Sequence, residues 1–106
     1  MVKTEAEVIG IIRNAVKALS KEIDIERVFL FGSYAVGAAH EHSDIDLAVF
    51  SRSVEGWPLD RRIRLAARIK DVSPYLEVHI YPASKLREAR PTNFYGHIIE
   101  TGKKVA

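Results

Sequence analysis

Two aspartates, Asp44 and Asp46, are the side chains in this sequence most suited to chemistry. They alternate with apolar residues in the run Asp44-Ile45-Asp46-Leu47-Ala48-Val49-Phe50, which has the period of a β-strand. Alternation places both carboxylates on one face, about 7 Å apart from Cα to Cα. That spacing suits one divalent metal ion or a close pair of ions. The alternative is a solvated strand face with two ordinary aspartates.

A glycine–serine turn lies ten residues upstream, where Gly32-Ser33 follows the apolar run Val28-Phe29-Leu30-Phe31. Glycine allows a close backbone approach to a ligand, and Ser33 can begin a helix whose first amides attract phosphate. A lone Gly-Ser is most often only a turn. Followed by Asp-x-Asp, it predicts phosphate-binding amides beside metal-binding oxygens, which phosphoryl or nucleotidyl transfer requires.

A third carboxylate, Glu77, lies within the alternating segment Tyr75–Tyr81. This segment predicts a strand with an apolar face of Leu76, Val78 and Ile80. A carboxylate between apolar neighbours in mid-strand is costly unless a cation compensates its charge.

The run Phe31-Gly32-Ser33, ten residues, then Asp44-Ile45-Asp46-Leu47 resembles the signature of the DNA polymerase β-like nucleotidyltransferases. Within that superfamily the chain is similar to the minimal nucleotidyltransferase (MNT) domains. The resemblance implies that Gly32 and Ser33 hold the nucleotide phosphates. It also implies that Asp44, Asp46 and Glu77 are catalytic residues that bind two Mg²⁺ ions. Glu77 stands where an aspartate is commoner in the family.

The resemblance is closest to the MNT antitoxins that pair with all-helical HEPN toxins. It implies transfer of AMP from ATP to a tyrosine hydroxyl of the toxin. A non-catalytic antitoxin that masks its partner is one alternative. A subunit that modifies a small molecule, such as an aminoglycoside, is another. The resemblance gives no expectation of direct nucleic-acid binding.

Other polar residues near these segments have open roles. His40 and His42 precede the aspartates, but imidazole suits zinc or nickel better than Mg²⁺. Ser43 either orients Asp44 or only forms a turn. Arg52 either meets a triphosphate or is a free surface arginine. His79 either contacts substrate or covers the sheet.

The elements that position these residues fit one domain over residues 1–106. We expect an α/β (α+β) fold, a small mixed β-sheet covered by helices. Thr4 and Glu7 form a capping box before an apolar helical stripe. Further helices are predicted from Pro58 to about Lys70 and from about Thr92 to Thr101, with Gly102 ending the last.

The predicted helices also give candidates for the core. On the second helix, four residues are expected to face inward: Ile63, Ala66, Ala67 and Ile69. Trp57 is expected to pack on the core, and the tail supplies Phe94, Ile98 and Val105. Lys103 and Lys104 are expected to complement the dipole of the last helix.

The composition is that of an ordinary globular protein, with 47% hydrophobic and 28% charged residues. There is no cysteine, so disulfides and thiolate metal sites are excluded. No apolar run approaches the roughly 18 residues of a membrane-spanning helix, and a cytoplasmic protein with no membrane contact is expected. The net charge of +2 is only mildly basic.

Overall fold

The computed structural model describes residues 2–106, which form a four-stranded mixed sheet in the order β3-β2-β1-β4. Strand β2 is antiparallel to β1 and parallel to β3, and β4 is antiparallel to β1. The strands are β1 (Ile25–Phe31), β2 (Ile45–Ser51), β3 (Leu76–Pro82) and β4 (Lys103–Lys104). The helices are α1 (Glu5–Leu19), α2 (Ser33–Val36), α3 (Leu59–Val72) and α4 (Phe94–Thr101). The predicted mixed sheet covered by helices is confirmed.

One face of the sheet, the helix-covered face, packs against α1 and α3. Its core combines inward residues of the helices, including Val8, Ile12, Leu65 and Ile69, with alternate strand residues. The capping box that begins α1 is present, since the Thr4 amide donates to Glu7 Oε1 (2.9 Å) and the Glu7 amide donates to Thr4 Oγ1 (3.2 Å). Trp57 packs against this core, as expected.

The opposite face, which we call the open face, is covered only in part. Phe29, Ala48 and Phe50 form a small second core there with Ile98 of α4. Because strand side chains alternate, Asp46 lies on the same face as Ala48 and Phe50. The open face is therefore the face that carries the candidate site.

Four of the core predictions are wrong. Ile63 and Ala67 of α3 are exposed, because Leu65 and Ile69 supply the face that meets the sheet. Phe94 is 49% exposed and Val105 is also exposed, whereas Ile98 is buried as predicted.

The C-terminal segment also differs from expectation. Lys103 and Lys104 form β4, paired with Leu30 and Phe29, instead of a charged helix end. Strand pairing gives their backbone groups partners, which the lysine side chains alone did not predict. In the described part of the chain, residues 2–106, no helix is long and apolar enough to cross a membrane.

Candidate functional site

Asp46 and Glu77 lie side by side on the open face. The parallel pairing of β2 and β3 is in register at these residues, and on the other side Asp46 is opposite Phe31 of β1. Because directly paired residues project to the same face, the two carboxylates share one surface. The order of the strands thus joins two acidic residues that are 31 positions apart in the sequence.

Gly32 packs directly against the Asp46 carboxylate. A Cβ atom built at Gly32 would clash with the Asp46 Oδ2 atom. The backbone of Gly32 has φ 75° and ψ −156°, a conformation that is essentially restricted to glycine. Gly32 is therefore required both by its backbone conformation and by its closeness to Asp46.

Ser33 begins α2 immediately after Gly32, and Gly37 ends this short helix in the left-handed conformation. The Gly32 carbonyl accepts hydrogen bonds from the Ala35 and Val36 amides at 3.0 and 3.3 Å. The first amides of a helix have no acceptor within the helix. Gly32 and Ser33 thus bring backbone N–H groups to the end of β1, next to Asp46.

Lys70, at the end of α3, is the functional candidate that sequence reasoning missed. Its Nζ atom lies 2.8 Å from Glu77 Oε2, and both side chains are about half exposed. This hydrogen bond is the main cause of the lowered pKa of Glu77. Lys70 is the cation that a mid-strand carboxylate was expected to need, and the cost of that carboxylate was the available signal for it.

The pKa of Asp46 is shifted in the opposite direction to that of Glu77. Burial raises the pKa of Asp46, and the negative charges of Asp44 and Glu77 raise it further, although His79 and Lys70 act against this rise. Adjacent carboxylates that repel one another are stabilised by a bound cation. Their oxygen donors are the ligand type that Mg²⁺ prefers, so the residues fit the ion.

Asp44 lies one residue before β2 and is exposed. Its charge acts on both Asp46 and Lys70, so it belongs to the same electrostatic group. Across residues 2–106, no three His, Asp or Glu side chains already stand in a metal-binding arrangement. The structure thus brings Asp46 and Glu77 together with Asp44 near them, while Glu77 is turned towards Lys70.

The two loop histidines contact each other and a neighbouring carboxylate. The His42 amide donates to His40 Nδ1 (3.2 Å), and His42 Nε2 lies 3.4 Å from Glu41. The Ser43 hydroxyl accepts a hydrogen bond from the His40 amide at 2.9 Å. Ser43 therefore closes a turn, which is one of the two roles considered for it.

Arg52 and His79 occupy very different positions. Arg52 begins a short 3₁₀ helix after β2, at the far end of the strand from Asp46, and is exposed. At about 3.3 Å per residue, the strand separates the two by roughly 20 Å. The His79 ring lies on the open face, 5.6 Å from Phe31 and stacked on Tyr81 with an interplanar angle of 8°. His79, unlike Arg52, is part of the surface around Asp46.

Comparison with known proteins gives one family and several similar folds. The family described as polymerase β, nucleotidyltransferase matches residues 13–106. No curated protein matches the chain. The structure is similar to a putative nucleotidyltransferase from Sulfolobus solfataricus, with a TM-score of 0.66, 17% identity, and 83% and 84% of the two chains covered.

Two further similar structures are toxin–antitoxin complexes. One contains AMP-PNP, with a TM-score of 0.65 and 23% identity, and the match covers 92% of this chain and 72% of that chain. A mutant MntA–HpeT complex has a TM-score of 0.57 and 22% identity, with 98% and 73% covered. At these identities the likeness shows the fold.

Proposed function

The chain belongs to the polymerase β nucleotidyltransferase family, and we propose that it is a Mg²⁺-dependent enzyme that transfers AMP from ATP to a tyrosine of a toxin partner. In this proposal it is the antitoxin of a HEPN/MNT pair, and the partner is an all-helical HEPN toxin. The similarity to toxin–antitoxin structures, one of them containing AMP-PNP, supports this choice of partner and nucleotide.

The observation that carries the proposal is the position of Asp46. Its carboxylate contacts the Gly32 backbone on one side and is in register with Glu77 on the other. Phosphate-binding amides and oxygen ligands for a metal ion are therefore adjacent, as nucleotidyl transfer requires.

Asp44, Asp46 and Glu77 would hold Mg²⁺, which neutralises phosphate charge and lowers the barrier to displacement at phosphorus. The amides at Gly32 and Ser33 would bind the β- and γ-phosphates. The tyrosine oxygen attacks the α-phosphorus and the bond to the β-phosphate oxygen breaks, releasing pyrophosphate. Glu77 would accept the proton of the attacking hydroxyl.

The acceptor chain has a route to this site along the groove between α3 and β3, an edge strand of the sheet. Leu59 and Ile63 of α3 line this groove and are 60% and 57% exposed. The groove continues past Ala66 to Lys70 and Glu77. The Ile80 carbonyl of this edge strand already accepts a hydrogen bond from Arg62 (2.8 Å), so the exposed apolar side chains of the groove, and not strand pairing, suit a polypeptide segment.

One observation favours the masking alternative, in which the chain neutralises its partner only by binding. The Lys70–Glu77 ion pair occupies a carboxylate that catalysis needs for the metal ion. In the catalytic proposal this pair opens when Mg²⁺ and nucleotide bind.

Intact-mass spectrometry of the partner toxin separates the two functions. The toxin is incubated with the chain, Mg²⁺ and each nucleoside triphosphate in turn. The proposal predicts a gain of AMP units with ATP, placed on tyrosine by fragmentation, and no gain with the double variant Asp44→Asn, Asp46→Asn. Neutralisation without any mass change, by wild type and double variant equally, would establish masking instead.

A further inference from the structure

A groove of about 610 Å³ lies between α3 and the residues that follow α1, on the helix-covered face of the molecule. Its walls carry three arginines of α3, and its floor includes Trp57 and Leu65. We propose that this groove binds an acidic polypeptide segment of a partner protein. This binding is separate from the nucleotidyl-transfer site and does not depend on it.

The three arginines, Arg61, Arg64 and Arg68, recur along one ridge of α3 at helical spacing. Two of them already hold carboxylates: Arg64 lies 3.1 Å from Asp60, and Arg68 lies 2.8 Å from Glu22. Their side chains remain 74% and 64% exposed. A guanidinium has five N–H donors, so both retain donors for the carboxylates of a second chain.

The Trp57 ring holds the side chain of Arg61, the third arginine, in place. The Arg61 guanidinium lies 3.7 Å from the centroid of the indole ring, while the indole packs against the helix-side core. Stacking orders the Arg61 side chain before any partner binds and so reduces the entropy lost on binding. Trp57 is half-buried and Ala67 is exposed, so together they leave a small apolar surface beside Arg61 for an apolar side chain of the segment.

Two features favour an acidic polypeptide over a nucleic acid, although Glu22 lines the groove and Asp60 adjoins it, and both carboxylates repel either kind of anion. Arg61 covers the indole face on which a base would stack. The chain has a net charge of only +2, which gives weak long-range attraction for a polyanion.

The groove also lies away from the open face. The inner residues of α3 contact the side of the sheet opposite to Asp46, whose neighbours Ile45 and Leu47 belong to that helix-side core. A partner segment in the groove therefore leaves Asp46 and Glu77 accessible. Docking here would hold a partner without blocking the candidate site.

Trp57 is the only tryptophan, so its fluorescence reports on the groove directly. The probe is a short synthetic peptide of glutamates with a central leucine, titrated at low salt. We expect a saturable change in Trp57 emission that weakens as salt is added, because exposed ion pairs are screened. A lysine peptide of the same length, and a thymidine oligonucleotide, should bind more weakly.

The variant Arg64→Gln, Arg68→Gln should lose about tenfold in affinity for the acidic peptide, equal to about 1.4 kcal/mol. Exposed ion pairs contribute little to stability, so the fold should survive, and the melting temperature checks this. The matched control is Arg13→Gln, an exposed arginine of α1 outside the groove. The proposal is overturned if the peptide leaves the emission unchanged, if Arg13→Gln loses as much affinity, or if the oligonucleotide binds more tightly.

Discussion

The Lys70 ammonium lies 2.8 Å from the carboxylate of Glu77, the residue directly opposite Asp46 across the β2–β3 pair. The Lys70 ammonium therefore occupies one side of the cluster of carboxylates that is proposed to bind Mg²⁺. Lys70 also lies 3.5 Å from the Leu76 carbonyl oxygen, so α3 meets the edge of β3 at this end of the groove. Lys70 links the edge of the sheet to the candidate site.

Removal of Lys70 should strengthen the binding of Mg²⁺, since the ion and the ammonium compete for Glu77. We expect Lys70→Met to raise the affinity about two- to fivefold, the range given by an exposed ion pair. Calorimetric titration with Mg²⁺ measures the affinity of the wild type and of the variant. Lys85→Met is the control, because Lys85 forms a similar exposed pair with Glu88. Unchanged or weaker binding by Lys70→Met would show that Glu77 does not bind the ion.

Asp46→Asn should not destabilise the protein in metal-free buffer. Because the pKa of Asp46 is raised in the folded state, its ionised form lowers the free energy of unfolding at neutral pH. This loss of stability disappears as the pH falls through the raised pKa. The melting temperatures of wild type and variant should therefore converge in acid. Thermal unfolding across that pH range, with and without Mg²⁺, is the measurement. A large fall in the melting temperature of the metal-free variant would give Asp46 a structural role.

Gly32→Ala should be more destabilising than Gly37→Ala. Both glycines have φ 75°, but a Cβ at Gly37 meets no atom within 4 Å, whereas at Gly32 it meets the Asp46 carboxylate. Gly37→Ala should cost about 1–2 kcal/mol for its left-handed backbone. Gly32→Ala should cost at least about 1 kcal/mol more and weaken nucleotide binding. Urea unfolding measures the free energy of unfolding of the two variants. Equal losses would show that the closeness of Gly32 to the Asp46 carboxylate adds nothing to the cost of the substitution.

Ile63→Asp should slow AMP transfer to the toxin at least about tenfold while leaving ATP binding unchanged, because it removes apolar contact from the acceptor route. Val72→Asp is the matched control, an exposed apolar residue of α3 outside the groove. The initial rate of the mass gain, at limiting toxin concentration, is the readout. Equal rates for the two variants would place the acceptor elsewhere.

The sequence predicted the elements that position the site, because their signals are local. Strand alternation around Asp46 and Glu77, the capping box at Thr4 and the glycine after Thr101 each depend on neighbouring residues. Local patterns did not predict the strand register or the contacts between elements. The Lys70–Glu77 pair depends on how α3 crosses the edge of β3, which no local pattern specifies.

The errors on α3 have a related cause. A helix with apolar residues on more than one side does not reveal which side meets the sheet. Leu65 and Ile69 are buried, and Ile63 is left beside the strand edge. Ile63 therefore lines the proposed acceptor groove instead of the core.

Calorimetric titration of ATP tests most directly whether Asp46 and its neighbours form a metal-dependent nucleotide site. Wild type should bind ATP at least about tenfold more tightly with Mg²⁺ than with EDTA, a difference of about 1.4 kcal/mol. Asp46→Asn should abolish this difference, and Asp24→Asn, at an exposed aspartate before β1, should retain it. Equal affinity of the wild type for ATP in Mg²⁺ and in EDTA would contradict the assignment of the site.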